Sequence, residues 1–287
     1  EINHIYVAKD DYLIEPYAPP QNTQRIIDTL NRFYKKVSQT QATINLMLVP
    51  TAVTIHKDLL PQNAPASNQL ETVQSIYTGT EIPKIDCMDS LIAGISQGQL
   101  YYRTDHHWTT LGAYYGYLAF CEAKNLEPVP LTSLQKQTVT EDFAGTLYSK
   151  VNDYNHKKDS ITVYTNPEDC LTVTYIDSNE VSDSLYNFDY LTEKDKYSIF
   201  LNNIHSLIEI ENQTSSSEDV LMLIKDSYAN SMVPFLAHHY RKIYVFDTRY
   251  YKDGPSSFLS EHKEINDILL LYNMNTLDTD SGIRGIY

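Results

Sequence analysis

Residues 23–50 read TQRIIDTLNRFYKKVSQTQATINLMLVP, and this stretch decides the fold. In its first half Ile26, Ile27, Leu30, Phe33, Tyr34 and Val37 fall at helical intervals, so residues 23 to 38 are expected to form an amphipathic helix. Its second half, TINLMLVP, is an apolar run of strand length that stops at Pro50. A helix followed by a strand that is apolar on both faces is the pattern of a parallel sheet covered by helices. The pattern returns near the end of the chain. VLMLI (220–224), KIYVFD (242–247) and DILLLY (267–272) read as buried strands, and the first leads through a turn into a helix starting at Ser227. The expected class is therefore α/β with a mostly parallel sheet.

Working outward, the opening INHIYVAKDDYLIEPY reads as a hairpin turning at Lys9-Asp10-Asp11. Short helices are expected over 69–77 and 91–96, and a short strand over 84–87. A strong helix, TTLGAYYGYLAFCEAKN, is capped by Thr109 or Thr110. From about 135 to 215 the character changes. QTVTEDF, DSITVYT, CLTVTYID, YSIFL and LIEIE are short β-rich runs between polar turns. We read 1–287 as a single α/β domain, with 135–215 a β-rich insertion, subdomain or elaborated edge within it. Asn212-Gln213-Thr214 matches a glycosylation sequon, a pattern common by chance.

The bulk composition excludes some partners. Thirty-seven acidic residues against 22 basic ones give a net charge of -15. Such a surface repels phosphate backbones and anionic lipid, which argues against nucleic acid as a partner. A neutral sugar meets no such barrier. The 24 tyrosines suit contact with carbohydrate, although compositional bias is the plainer explanation. Cys87, Cys121 and Cys170 match no zinc spacing and demand no disulfide. No apolar run is long enough to span a bilayer. The chain opens at Glu1 without methionine. We take this as the expectation that a secretion or anchoring segment precedes it, placing the domain outside the cytoplasm.

The chemistry concentrates in TDHHWTT, Thr104 to Thr110. If Thr104–His107 is extended, Asp105 and His107 share a face and His106 points away. A carboxylate beside an imidazole orients the ring and stabilises its cation, which is two thirds of a nucleophilic triad. The candidate nucleophile is Ser227 in LIKDSYANS, directly after a buried strand, where open α/β folds place ligands. Amide N–H groups at such a helix start can stabilise an oxyanion. The competing structural reading is that Asp226 or Ser227 only caps a helix that Pro234 cuts short, and that TDHHWTT is a turn with Trp108 in the core.

TDHHWTTLGAYYGY resembles the signature of the bacterial DHHW protein family, itself similar to alginate O-acetylation proteins with SGNH-hydrolase-like folds. DFAGTLYSK (142–150), LIKDSYANS and VFDTRYY (245–251) extend the resemblance over most of the chain. It implies a three-layer SGNH-like fold and acyl-ester chemistry on extracellular polysaccharide. It also implies Asp105, His107 and Ser227 as the triad, in the order Asp-x-His before serine. This chain departs from the SGNH pattern at Lys225, where Gly-Asp-Ser is usual, and the family's oxyanion glycine and asparagine have no counterpart we can place. Asn230, three residues after Ser227, can donate one hydrogen bond. Arg249 can bind an acyl oxygen or a sugar hydroxyl, or simply pair with Asp247 or Asp253. His106 is read as a neighbouring support.

The leading expectation is a carbohydrate O-acyltransferase or acetyl esterase. It implies a polysaccharide substrate and, for the transfer route, an acyl donor, which a membrane-bound acyl-transfer partner could supply. A second reading is a cell-surface protein that binds glycans with a degenerate site. A third is a metal phosphoesterase using Asp105, His106 and His107 with Asp86 and Asp89, which the negative charge disfavours. No cofactor motif and no resident metal set is legible.

Overall fold

The computed structural model describes residues 1–65, 68–153, 155–277 and 283–286. In chain order the first half contains β1 (Tyr6–Val7), β2 (Leu13–Ile14), α1 (Thr23–Val37), β3 (Thr43–Val49), α2 (Ala52–Ile55), α3 (Gln69–Gly79), β4 (Lys84–Ile85), α4 (Met88–Gly94) and α5 (Thr110–Lys124). Next come β5 (Gln135–Phe143), α6 (Thr146–Val151), β6 (Asp159–Thr165), β7 (Leu171–Tyr175), β8 (Glu180–Ser182) and β9 (Leu207–Asn212). The last third holds β10 (Val220–Lys225), α7 (Val233–Leu236), β11 (Lys242–Phe246), α8 (Pro255–Glu261) and β12 (Asp267–Asn273).

The central sheet has eight strands in the order β4-β3-β12-β10-β11-β9-β7-β8. The five strands from β4 to β11 run parallel. β9, β7 and β8 extend the sheet with antiparallel pairings. Every residue of β10 and β12 is buried, as expected of strands covered on both faces. One helical layer is built on α1, which packs against α3 and α8; the other is built on α5, against α4 and α7. Asn22 caps α1 by accepting from the Arg25 amide, and its buried face carries Ile26, Ile27, Leu30, Phe33 and Val37.

The β-rich stretch between 135 and 215 divides in two. β7, β8 and β9 join the central sheet, whereas β5 and β6 form a separate two-stranded ribbon. YSIFL, read from sequence as a strand, is instead a 3-10 turn, Lys196–Ile199, with only an isolated bridge between Tyr186 and Phe200. Its Tyr197, Ile199 and Phe200 face a satellite core shared with Tyr102, Phe143, Ile161 and Val163 rather than a neighbouring ladder, while Leu201 joins the main core. Gln213 and Thr214 of the sequon lie in an exposed turn, but its asparagine does not. Asn212 is buried at the end of β9, donating to the Ala237 carbonyl and accepting from Thr214. All three cysteines are free thiols, with Cys87 and Cys121 buried and Cys170 exposed. No described helix is long and apolar enough to cross a membrane.

Candidate active site

β10 is the fourth of the eight strands, flanked by the parallel β12 and β11, so its carboxyl end opens above the centre of the sheet. Asp226 follows it. Its Oδ2 accepts from the amide and side chain of Asn273 and from the Thr276 hydroxyl, and its Oδ1 accepts from the Tyr228 amide. Asp226 is thus the cap of the turn and ties it to the end of β12. Ser227 to Ser231 form a 3-10 turn, not the expected α-helix; only Val233–Leu236 is α-helical. Pro234 explains the difference, since it lacks the N–H that an α-helix begun at Ser227 would need there.

The DHHW segment turns rather than running extended. The Asp105 side chain accepts from the His107 amide at 3.0 Å, closing a tight turn, and the Tyr102 amide donates to the His107 carbonyl at 3.2 Å. Thr109 then caps α5 by accepting from the Gly112 amide. Gly112 permits the close approach: a Cβ there would lie 2.2 Å from the Leu100 carbonyl oxygen. Trp108 is fully buried and donates its indole N–H to the Tyr228 carbonyl at 2.7 Å, joining this loop to the serine turn.

These two loops bring Ser227, His107 and Asp105 into one chain of hydrogen bonds. The Ser227 hydroxyl lies 2.7 Å from His107 Nε2, and His107 Nδ1 lies 2.6 Å from Asp105 Oδ1. Since the carboxylate can only accept, Nδ1 carries the proton and Nε2 is free to accept from serine. Asp105 Oδ2 accepts from both the amide and hydroxyl of Thr146 at the start of α6. Burial opposes ionisation of Asp105, but His106, His107 and the Thr146 amide together hold its pKa below the usual carboxylate range. His107 is pushed down to about 4, by burial first and then by the charges of His106 and Arg249, against the pull of Asp105. At neutral pH His107 is therefore a free base.

The supporting residues fall into place with mixed outcomes. His106 lies beside the site: its ring is 3.9 Å from that of His107, and its Nδ1 is 2.8 Å from the Thr146 hydroxyl. Arg249 takes its expected structural partner, donating to both oxygens of Asp247 at 2.8 and 2.6 Å. The same carboxylate lies 3.5 Å from the buried Lys225 ammonium. The residue that replaces the usual glycine thus turns its charge onto Asp247. Asn230 is buried, and its Oδ1 has no partner. Asp105, His106 and His107 offer ligand atoms within 4.8 Å of one another, but Asp86 and Asp89 are not part of that group. Asp86 instead accepts from the Met88 amide and faces Lys84.

Sequence reasoning missed Tyr197. Its ring stacks on His107 with centroids 3.7 Å apart and planes 8° from parallel, and its hydroxyl donates to the Ser227 carbonyl at 2.9 Å. It also missed the role of Gly145-Thr146, although GTLYSK stood out as a motif.

The comparisons bear on this arrangement. The chain is similar to a DHHW family protein from Eubacterium siraeum, with a TM-score of 0.83 and 26% identity over 99% of this chain and 96% of that one. It is similar to PatB1 of Bacillus cereus with a sulfonyl adduct, with a TM-score of 0.79 and 18% identity over 99% of both chains. It also resembles the O-acetyltransferase domain of Pseudomonas putida AlgJ, with a TM-score of 0.60 and 13% identity over 96% of this chain and 92% of that one. The likeness to PatB1 and AlgJ shows the SGNH-hydrolase-like α/β fold. A search among curated proteins returns no match. The family model for DHHW protein matches residues 13–246. The chain belongs to the DHHW protein family.

Proposed function

We propose that this protein is an extracytoplasmic carbohydrate O-acyltransferase or acetyl esterase working through an acyl-enzyme. The observation that carries the reading is the unbroken path from the Ser227 hydroxyl through His107 to Asp105, with distances of 2.7 and 2.6 Å. In this mechanism Ser227 Oγ attacks the acetyl carbonyl carbon while its proton passes to His107 Nε2. Asp105 holds the ring and stabilises the imidazolium. The tetrahedral intermediate collapses, the donor's alcohol leaves with the proton from His107, and an acetyl ester remains on Ser227. A sugar hydroxyl or water then attacks that ester, gives its proton to His107 and releases Ser227. The Ser227 amide is the first of its turn and has no carbonyl acceptor within it, so it is available to the oxyanion, and Asn230 is the nearby side-chain candidate. The AlgJ domain of the same fold is an O-acetyltransferase, which supports acetyl as the acyl group; the polysaccharide acceptor follows from the resemblance of the DHHW signature to alginate O-acetylation proteins.

The test is incubation with an aryl acetate, with and without an oligosaccharide acceptor, followed by mass analysis of sugar and free acetate. Acetylated sugar identifies a transferase, and acetate alone identifies an esterase. If Ser227→Ala releases the aryl alcohol as fast as the unmodified protein, covalent catalysis at this residue is rejected and the glycan-binding reading takes its place.

A further inference from the structure

We propose that Tyr197 is a positioning residue that fixes both ends of the Ser227–His107 hydrogen bond and stabilises the imidazolium through its ring face. The inference rests on the acyl-transfer reading above. Two contacts of one side chain carry it. The phenol ring lies flat on His107, with centroids 3.7 Å apart and planes 8° from parallel. The hydroxyl donates to the Ser227 carbonyl at 2.9 Å and lies 3.3 Å from Ser231 Oγ. A single rigid group therefore spans base and nucleophile, and neither can shift without disturbing it.

The ring is itself held. Tyr197 is buried, with Phe200 at 5.1 Å and Tyr102 edge-on at 6.4 Å. The chain just beyond it makes a tight turn. Leu201, Asn202 and Asn203 are three consecutive non-glycine residues in the left-handed region, with φ of 57°, 55° and 76°. Such residues cost free energy and persist where their surroundings over-determine them. Here the bonds from Leu201 N to the Leu185 carbonyl and from Asn203 N to the Ser198 carbonyl, both 2.9 Å, lock the turn.

An aromatic face is electronegative, so it favours a cation stacked on it. His107 becomes a cation during each proton transfer. The titratable and charged groups that face it are Asp105 and His106 from its own loop, Tyr197, Tyr228 after β10 and Arg249 after β11. Tyr197 is the only one of these groups that both stacks on the ring and bonds the Ser227 backbone among the described residues. Removing the aromatic face makes the imidazolium less favourable. The His107 pKa then falls further, and the acid limb of kcat/KM moves to lower pH while the plateau drops.

The experiment compares Tyr197→Phe with Tyr197→Leu, and with Tyr197→Met should the leucine variant not fold. Aryl acetate hydrolysis is followed against pH, and the His107 ring is titrated by NMR in each protein. The expected result for the non-aromatic variant is a roughly tenfold lower kcat/KM, unchanged KM, and an acid limb and NMR midpoint lower by about half a pH unit or more. Tyr197→Phe keeps the midpoint and loses about threefold, the share of the hydroxyl bond. A non-aromatic variant that folds and keeps the wild-type His107 midpoint overturns the proposal. If the unmodified protein shows no Ser227-dependent hydrolysis, the acyl-transfer reading fails. The NMR midpoints still decide whether Tyr197 controls the imidazole.

Discussion

Thr146 gives Asp105 two hydrogen bonds to the same oxygen, from its amide at 2.8 Å and its hydroxyl at 3.0 Å. The other oxygen receives the His107 ring and amide. The carboxylate is thereby held from both sides, and Gly145 makes this possible. A Cβ on Gly145 would sit 2.3 Å from the Asp105 Cβ and 2.5 Å from its Oδ2. Gly145→Ala is expected to push Asp105 off the imidazole and to lower kcat/KM by about a hundredfold or more. Thr146→Val keeps the amide bond and is expected to cost roughly fivefold. Aryl acetate kinetics on the two folded variants check both. Wild-type rates in Gly145→Ala would mean that Asp105 does not orient the base.

The depressed pKa of His107 sets the pH profile. Because it titrates at about 4, the base remains neutral from pH 8 down to 5, and kcat/KM should be flat over that range with its acid limb near 4. A limb near the unperturbed histidine value of about 6.5 would contradict the buried, His106- and Arg249-flanked environment.

Stability should follow the same histidines. His56 and His239 are also lowered to about 4, His56 by burial and then Arg103, His239 by burial and then His238. Between about 6.5 and 4 the unfolded chain binds protons that the folded chain refuses. Stability is therefore fully present above pH 6.5 and falls as pH drops toward 4. The slope approaches about 1.4 kcal/mol per pH unit for each of the more deeply buried His107 and His56 near the low end of that window, and is smaller for His239, which water screens. Urea unfolding at pH 7 and pH 4.5 measures it, and an unchanged midpoint would refute the burial of neutral imidazoles.

Lys225 and Asp247 make an asymmetric pair. Both are buried, but Asp247 also holds Arg249, whereas Asp247 is the carboxylate paired with Lys225. Lys225→Met leaves Asp247 a partner and should change stability by less than about 1 kcal/mol. Asp247→Asn leaves the Lys225 ammonium and Arg249 without that carboxylate and should cost about 3 kcal/mol or more. Thermal or urea unfolding distinguishes them, and equal losses would show that the charge on Lys225 itself supports the fold.

Much of this architecture was legible because burial leaves plain marks. VLMLI, DILLLY and TINLMLV are apolar on both faces, and only a covered parallel sheet accommodates three such strands. Asp105 and His107 were legible as a pair from their alternation, although the chain between them turns, because an Asx-type bond also puts both side chains on one side. Ser227 stands out in the sequence by its place after a buried strand. Tyr197 was not. YSIFL has the apolar content of a strand, and nothing local tells a strand from a turn folded onto a separate core. Its contact with His107 joins residues far apart in sequence, with no shared motif. Arg249 could be read either way, and the bidentate bond to Asp247 two residues earlier decided it.

The account turns on Ser227 being a nucleophile activated by His107. A serine hydroxyl activated by a histidine base attacks an aryl sulfonyl fluoride, so that reagent reads the claim directly. Intact-mass measurement after incubation at neutral pH should show one sulfonyl group per chain, located on Ser227, with labelling slowed at least a hundredfold in His107→Ala and absent in Ser227→Ala. An unlabelled native protein, or labelling that persists without Ser227, would contradict it.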